Sequence, residues 1–128
     1  MIFSKKAILA AIELDKIKIE PFNPEWLGPA HVDLHLGGSS DLLLTPKEFL
    51  TVETAETIHL SNDICGFVEG RASLARQGLS VEQSSTFIEP GTNNPLTLEL
   101  FNASQNPITL EAGQTVAKLL LTKVTDKI

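Results

Sequence analysis

Gly70-Arg71-Ala72-Ser73-Leu74-Ala75-Arg76-Gln77-Gly78-Leu79 sets two arginines and a hydroxyl between glycines, directly after the apolar run Ile64 to Val68, which reads as a strand. A guanidinium offers a planar fork of donors matched to phosphate oxygens, and backbone N–H groups at the start of a helical turn add partial positive charge. The segment is a candidate phosphate cradle. Read in isolation, a capped surface helix with two solvated arginines accounts for it equally well. Ala72 to Gln77 breaks the alternation around it and is predicted to form a short helical turn.

Outward from this stretch the chain alternates with period two. Ile17 and Ile19, then Val32, Leu34 and Leu36, alternate with polar residues across a Pro-rich stretch from Pro21 to Pro29. Further apolar runs at Glu48 to Val52, Leu79 to Val81, Leu96 to Phe101, Ile108 to Leu110 and Val116 to Val124 are punctuated by Gly, Pro, Asn and Ser clusters. Near the N-terminus the period is helical instead: Ser4 can cap a helix whose apolar positions are Ala7, Ile8, Ala11 and Ile12, ending near Glu13 to Lys16. The pattern predicts a mainly β protein, a sandwich or jelly-roll with one short N-terminal helix. No repeat, linker or low-complexity tract interrupts it, so residues 1–128 are expected to form one domain.

Composition narrows the function classes. With 42% hydrophobic and 20% charged residues the balance is that of an ordinary globular protein, and the run Ala7 to Ile12, broken by Glu13 and Asp15, fits neither a signal peptide nor a membrane span. A cytoplasmic location is the resulting expectation. The formal charge of −6 opposes broad binding to nucleic acid or to an anionic membrane, so a polyanionic ligand must meet a local cluster of arginines. Cys65 is the single cysteine, which rules out an internal disulfide and a cysteine-based zinc cluster within one chain. It is expected to pack as a small hydrophobe.

Alternation places Leu96, Leu98 and Leu100 on one face of a strand and Thr97, Glu99 and Phe101 on the other. A carboxylate in mid-strand is unusual. In a partly dry cleft Glu99 could take a proton from water and pass it to a leaving amine; on a one-sided sheet it could simply face solvent.

Taken together the motifs resemble the dCTP deaminase/dUTPase superfamily, whose phosphate-binding motif reads Gly-Arg-Ser-Ser-Leu-Ala-Arg-x-Gly. Ile19-Glu20-Pro21-Phe22, His31-Val32-Asp33-Leu34-His35-Leu36-Gly37, Ile88-Glu89-Pro90-Gly91 and Leu96-Thr97-Leu98-Glu99-Leu100-Phe101-Asn102 follow the family's order and spacing, so the resemblance covers almost the whole chain. The N-terminal helix, Pro90-Gly91 and above all Glu99 lean toward the deaminase branch. The resemblance implies a dUTPase-like homotrimer that binds a deoxynucleoside triphosphate, dCTP or dUTP, between subunits. It implies that Glu99 activates water, that Arg76 and the Ser73 region orient it and bind phosphate, and that Arg71 contributes to phosphate or subunit contacts. Glu89 would accept the hydrogen bond of the 3′-hydroxyl, although a plain turn carboxylate before Pro90 reads equally well. Ala72, Ser85 and Thr97 complete the implied substrate-binding set.

The reaction expected on this basis is hydrolytic deamination of dCTP to dUTP and ammonia. Many nucleobase deaminases activate water on zinc held by an H-x-E…C-x-x-C pattern, which His31, His35, His59 and the lone Cys65 do not supply, so the expected chemistry at the base is metal-free. Magnesium is expected to arrive on the triphosphate, with no protein cage and no zinc. The alternatives are a dUTPase or bifunctional relative, and a non-catalytic trimer that binds nucleotide or a protein partner. Four departures bear on the choice. Ala72 replaces the motif's first serine, Thr92-Asn93-Asn94-Pro95 stands where an aromatic ring and glycine are usual, Lys118 stands where many members carry glutamine, and the sequence stops at Ile128, short of the family's C-terminal tail. A more open site is the expected consequence of the last.

Overall fold

A computed structural model describes residues 1–126. The chain runs through helix α1 (Lys5–Glu13), strands β1 (Ile17–Glu20), β2 (Leu27–Gly28), β3 (His31–His35), β4 (Leu42–Leu44), β5 (Phe49–Leu60) and β6 (Ile64–Gly70), the single turn α2 (Ala72–Ala75), and strands β7 (Leu79–Ser80), β8 (Phe87–Ile88), β9 (Asn93–Asn102), β10 (Ile108–Leu110) and β11 (Thr115–Lys123). As the periodicity predicts, α1 opens on Ser4, whose hydroxyl accepts from the backbone N–H of Ala7 at 3.2 Å. Ile8 and Ala11 are its buried positions.

Two antiparallel sheets carry the fold, one ordered β1-β5-β9-β7 and the other β2-β3-β11-β6-β8, with β10 and β4 paired separately. Inward residues of the first, among them Ile58, Leu60, Leu98 and Leu100, and of the second, among them Val32, Leu34, Val68, Leu119 and Leu121, join one buried core. Each such side chain contributes about 1.5–3 kcal/mol by leaving water. Cys65 is buried, as its composition class suggests. Among the described residues no helix is long and apolar enough to cross a membrane.

One strand is much longer than its apolar pattern. The sequence marks an apolar run only to Val52, yet β5 continues to Leu60, because the inward positions beyond Val52 begin with Thr54 and Glu56. Both are buried and both are satisfied. The Thr54 hydroxyl donates to the Glu56 carbonyl at 2.8 Å and accepts from the Leu96 N–H at 3.0 Å, filling a gap where the β5–β9 register shifts. Glu56, 0% exposed, accepts from the His35 backbone N–H at 2.9 Å and meets its Nδ1 at 2.6 Å. Polar groups that find partners in the fold hide this strand from a hydrophobic reading. The short strands β2, β4 and β8 escape it for a simpler reason, since two or three residues hold no period.

Asn102 closes the strand that carries Glu99. Fully buried, its amide donates to the carbonyls of Leu44 at 3.0 Å and Asn106 at 2.8 Å, while its Oδ1 accepts from the N–H and hydroxyl of Ser104. All four of its hydrogen-bonding positions are used, so β9 ends in a fixed place.

Candidate active site

The arginine motif folds as a short hinge between β6 and β7. Leu74, buried, pins α2 to the core, and Gly78 reverses the chain with φ +99°, a conformation that favours glycine. The reversal brings the Gly78 carbonyl to the Ala103 N–H at 2.8 Å, just past the end of β9. With only four residues, α2 aligns too few peptide groups for an appreciable dipole, so a cradle here rests on side chains rather than on the helix start that the sequence suggested. Arg71 is half-buried, while Ala72, Ser73 and Arg76 are exposed.

Beside the hinge lies a cleft of about 360 Å³ whose lining includes Glu69, Gly70, Arg71, Ala72, Ser80, Glu82 and Lys118. A second hollow, about 230 Å³, lies under α1 and is lined by Ala7, Ala10 and Leu14 among others; it contains none of the candidate residues. Arg71, Arg76 and Lys118 make no ion pair among the described residues.

Glu99 is half-buried on the outer face of β9, opposite Thr51 of β5. Its Oε1 accepts from the backbone N–H of Gln83 at 3.1 Å, and its own N–H donates to the Val81 carbonyl at 3.1 Å. The Gln83 side chain in turn donates to the Ser80 hydroxyl at 3.2 Å, and Ser80 is part of the cleft wall. A continuous set of contacts therefore leads from the arginine cleft to the mid-strand carboxylate. One oxygen of Glu99 is occupied by the amide, and the other has no hydrogen-bond partner among the described residues.

The remaining candidates are more dispersed. Thr97 shares the exposed face with Glu99, and Ser85 is exposed in the loop after Gln83. Glu89 is exposed in the turn after β8, the outermost strand of its sheet, with its carbonyl receiving the Thr92 hydroxyl at 2.7 Å. A single chain thus joins Arg71 and Ala72 at a cleft and links Glu99 to its wall, but leaves Ser73, Arg76, Ser85, Glu89 and Thr97 outside that cleft's lining. Two of the three histidines are engaged elsewhere: His35 with Glu56 and against the Trp26 ring, His31 with Asp33 at 3.2 Å. No three His, Cys, Asp or Glu side chains among the described residues converge on a metal position. Sequence reasoning missed Gln83, which acts through its backbone N–H and so leaves no side-chain signal. It also left Glu69 and Glu82 unmarked as cleft residues.

Known structures share this architecture. The crystal structure of 2′-deoxycytidine 5′-triphosphate deaminase from Agrobacterium tumefaciens matches with a TM-score of 0.79 at 20% identity, over 94% of this chain and 46% of that one. An EIAV dUTPase matches with a TM-score of 0.67 at 22% identity, over 88% of this chain and 90% of that one. The class is therefore a β protein of the dUTPase-like fold. Within it, the chain belongs to the dCTP deaminase-like family, whose model matches residues 38–124. A relative named dCTP deaminase, dUMP-forming, from Hydrogenobaculum sp. is 34% identical over 148 residues, spanning 97% of this chain and 83% of its own. The chain spans less than half the length of the Agrobacterium protein.

Proposed function

We propose that this chain, assembled as a homotrimer, hydrolytically deaminates dCTP. The observation that carries the reading is Glu99: a half-buried carboxylate in mid-strand, oriented by the Gln83 N–H and connected through Ser80 to a cleft that holds an unpaired arginine. In the reaction Glu99 takes a proton from water as the oxygen adds to C4 of cytosine. N3 takes up a proton as the C4=N3 double bond opens, the C4–N4 bond breaks with the proton held by Glu99 leaving on ammonia, and loss of the second proton from the added oxygen leaves the uracil carbonyl. Arg71, and Arg76 with Ser73, bind phosphate in this reading, and Glu89 accepts from the sugar 3′-hydroxyl.

The product is where the sequence reading and the relatives part. The sequence expectation was dUTP, whereas the curated relatives are named dUMP-forming. Those names favour the bifunctional course for this chain, in which pyrophosphate is also removed and dUMP results. Magnesium fits as a companion of the triphosphate: Glu69 and Glu82 put two carboxylates at the cleft, short of the oxygen cage a protein-held ion needs, and magnesium keeps much of its water shell. Bound there it would neutralise phosphate charge.

Assembly is part of the same proposal, because Arg76, Glu89 and Thr97 do not meet the cleft within one chain. Phe67 and Phe87, 36% and 45% exposed with ring centroids 5.5 Å apart, form an apolar face of the kind that subunits cover. The test is to incubate the purified protein with dCTP, and separately with dUTP, plus magnesium, and to follow ammonia and pyrophosphate. Ammonia with pyrophosphate from dCTP is the expected result. Ammonia alone places the end of the reaction at dUTP, pyrophosphate from dUTP alone makes the protein a dUTPase, and nucleotide binding with neither product makes it a non-catalytic binder.

A further inference from the structure

We infer that Lys47, an exposed lysine in the turn between β4 and β5, is a positioning residue that holds the seat of the arginine hinge. The inference rests on the reading of the hinge as a phosphate-binding element. Lys47 stands at φ +67°, in the left-handed region that favours glycine, and such strain persists only where surrounding contacts hold it. Its contacts lie on the turn after β9. The Lys47 N–H donates to the Asn102 carbonyl at 2.8 Å, and its ammonium donates to the next carbonyl, that of Ala103, also at 2.8 Å. The N–H groups of the same two peptide units are taken as well, Ala103 by the Gly78 carbonyl at 2.8 Å and Ser104 by Asn102 Oδ1 at 2.9 Å. All four polar atoms are engaged within the protein although Ala103 is exposed, where water ordinarily serves such groups.

The hinge rests on the turn so held. A Cβ at Gly78 would stand 3.0 Å from the Ser104 nitrogen and 2.8 Å from its Cβ, so the chain passes Ser104 with no room to spare. From Gly78 back to Arg71 the hinge is one rigid piece, because the N–H groups of Leu74, Ala75, Arg76, Gln77 and Gly78 all donate to carbonyls within residues 71–75. A shift of the 102–104 turn therefore moves Gly78, and with it Arg76 two residues before. Glu99 is less exposed to that shift, since its N–H is fixed separately to the Val81 carbonyl and its carboxylate to the Gln83 N–H. Lys47 lies outside the cleft lining and acts only through the turn. A glycine would hold this φ without strain but has no ammonium to place on Ala103.

The test compares the full chain with Lys47→Met, Lys47→Gly and Lys47→Arg. Affinity for dCTP and for inorganic tripolyphosphate, ammonia release at saturating dCTP, and thermal melting are measured for each. Lys47→Met keeps the stem and removes the donor; it is expected to weaken both ligands by about fivefold, with turnover within about twofold of the parent. Lys47→Gly relieves the backbone strain while losing the same donor, so it should melt at or near the parent temperature yet bind as weakly as Lys47→Met. Lys47→Arg carries a donor to the same carbonyl and should restore most of the affinity. Affinity that simply follows the melting temperature across the three variants makes Lys47 a plain structural residue and overturns the inference, as does parent-like binding in Lys47→Met. A loss confined to turnover places the effect at Glu99 and also overturns it. A parent protein that binds neither ligand overturns the inference together with the phosphate reading of the hinge beneath it.

Discussion

Two side chains bear on the proposed turnover, Glu99 beside the cleft and Ala72 in its wall, and each can be tested singly. Glu99→Gln preserves size and the Gln83 N–H contact but removes the base. Ammonia release is expected to fall to background while dCTP affinity stays within a few-fold, and unchanged release would remove Glu99 from the mechanism. Ala72, exposed at the cleft wall, offers the opposite experiment. Ala72→Ser restores a hydroxyl worth roughly 0.5–1.5 kcal/mol to a neutral partner or about 1.5–3 kcal/mol to a charged one. Turnover per bound dCTP should therefore rise between a fewfold and about a hundredfold in assemblies of matched trimer content. No gain in a protein that already deaminates would show that other groups have replaced the hydroxyl.

At the scale of elements, the hinge after β6 owes its shape to Gly78. A Cβ there would stand 2.8 Å from the Ser104 Cβ, with φ held at +99° by the Ala103 contact. Gly78→Ala should cost about 1–3 kcal/mol in chemical denaturation, the usual range for such strain, and should weaken phosphate binding by displacing Arg76. A second joint ties the turn between β5 and β6 to the chain after α1. The Ser61 hydroxyl donates to Asp63 at 2.6 Å and the Lys16 ammonium at 3.2 Å, holding its carboxyl down to about 2 from an ordinary 3.8. A carboxyl depressed in the folded state stabilises the fold above its unfolded value and loses that contribution as pH falls toward about 2. Melting curves of Asp63→Asn from pH 5 to pH 2 should accordingly show a shallower acid decline than the parent. Parallel declines would mean that other carboxyls govern it.

For the whole molecule the expectation is three chains. Light scattering of the pure protein should give a mass near three times 13.9 kDa. Phe87→Glu, placed in the exposed aromatic pair, should shift it toward monomer and abolish dCTP binding together. A stable monomer that still bound nucleotide tightly would refute a site shared between subunits.

The alternation of Leu96, Leu98 and Leu100 determined both the inward face of β9 and the outward position of Glu99, because a pleated strand has a strict period of two. The Ser4 cap and the apolar spacing behind it determined α1 as directly. Local rules reached those features since each depends on neighbours within a few residues. The second half of β5 was beyond them: Thr54 and Glu56 look like surface residues until Leu96 and His35, 42 and 21 positions away, supply their partners. The cleft was beyond them as well. Gly70 and Arg71 meet Lys118 only because β6 and β11 lie side by side, and Glu99 joins them only through the backbone of Gln83. Contacts between strands far apart in the chain are set by how the sheets close on their core, and that is a property of the tertiary structure alone.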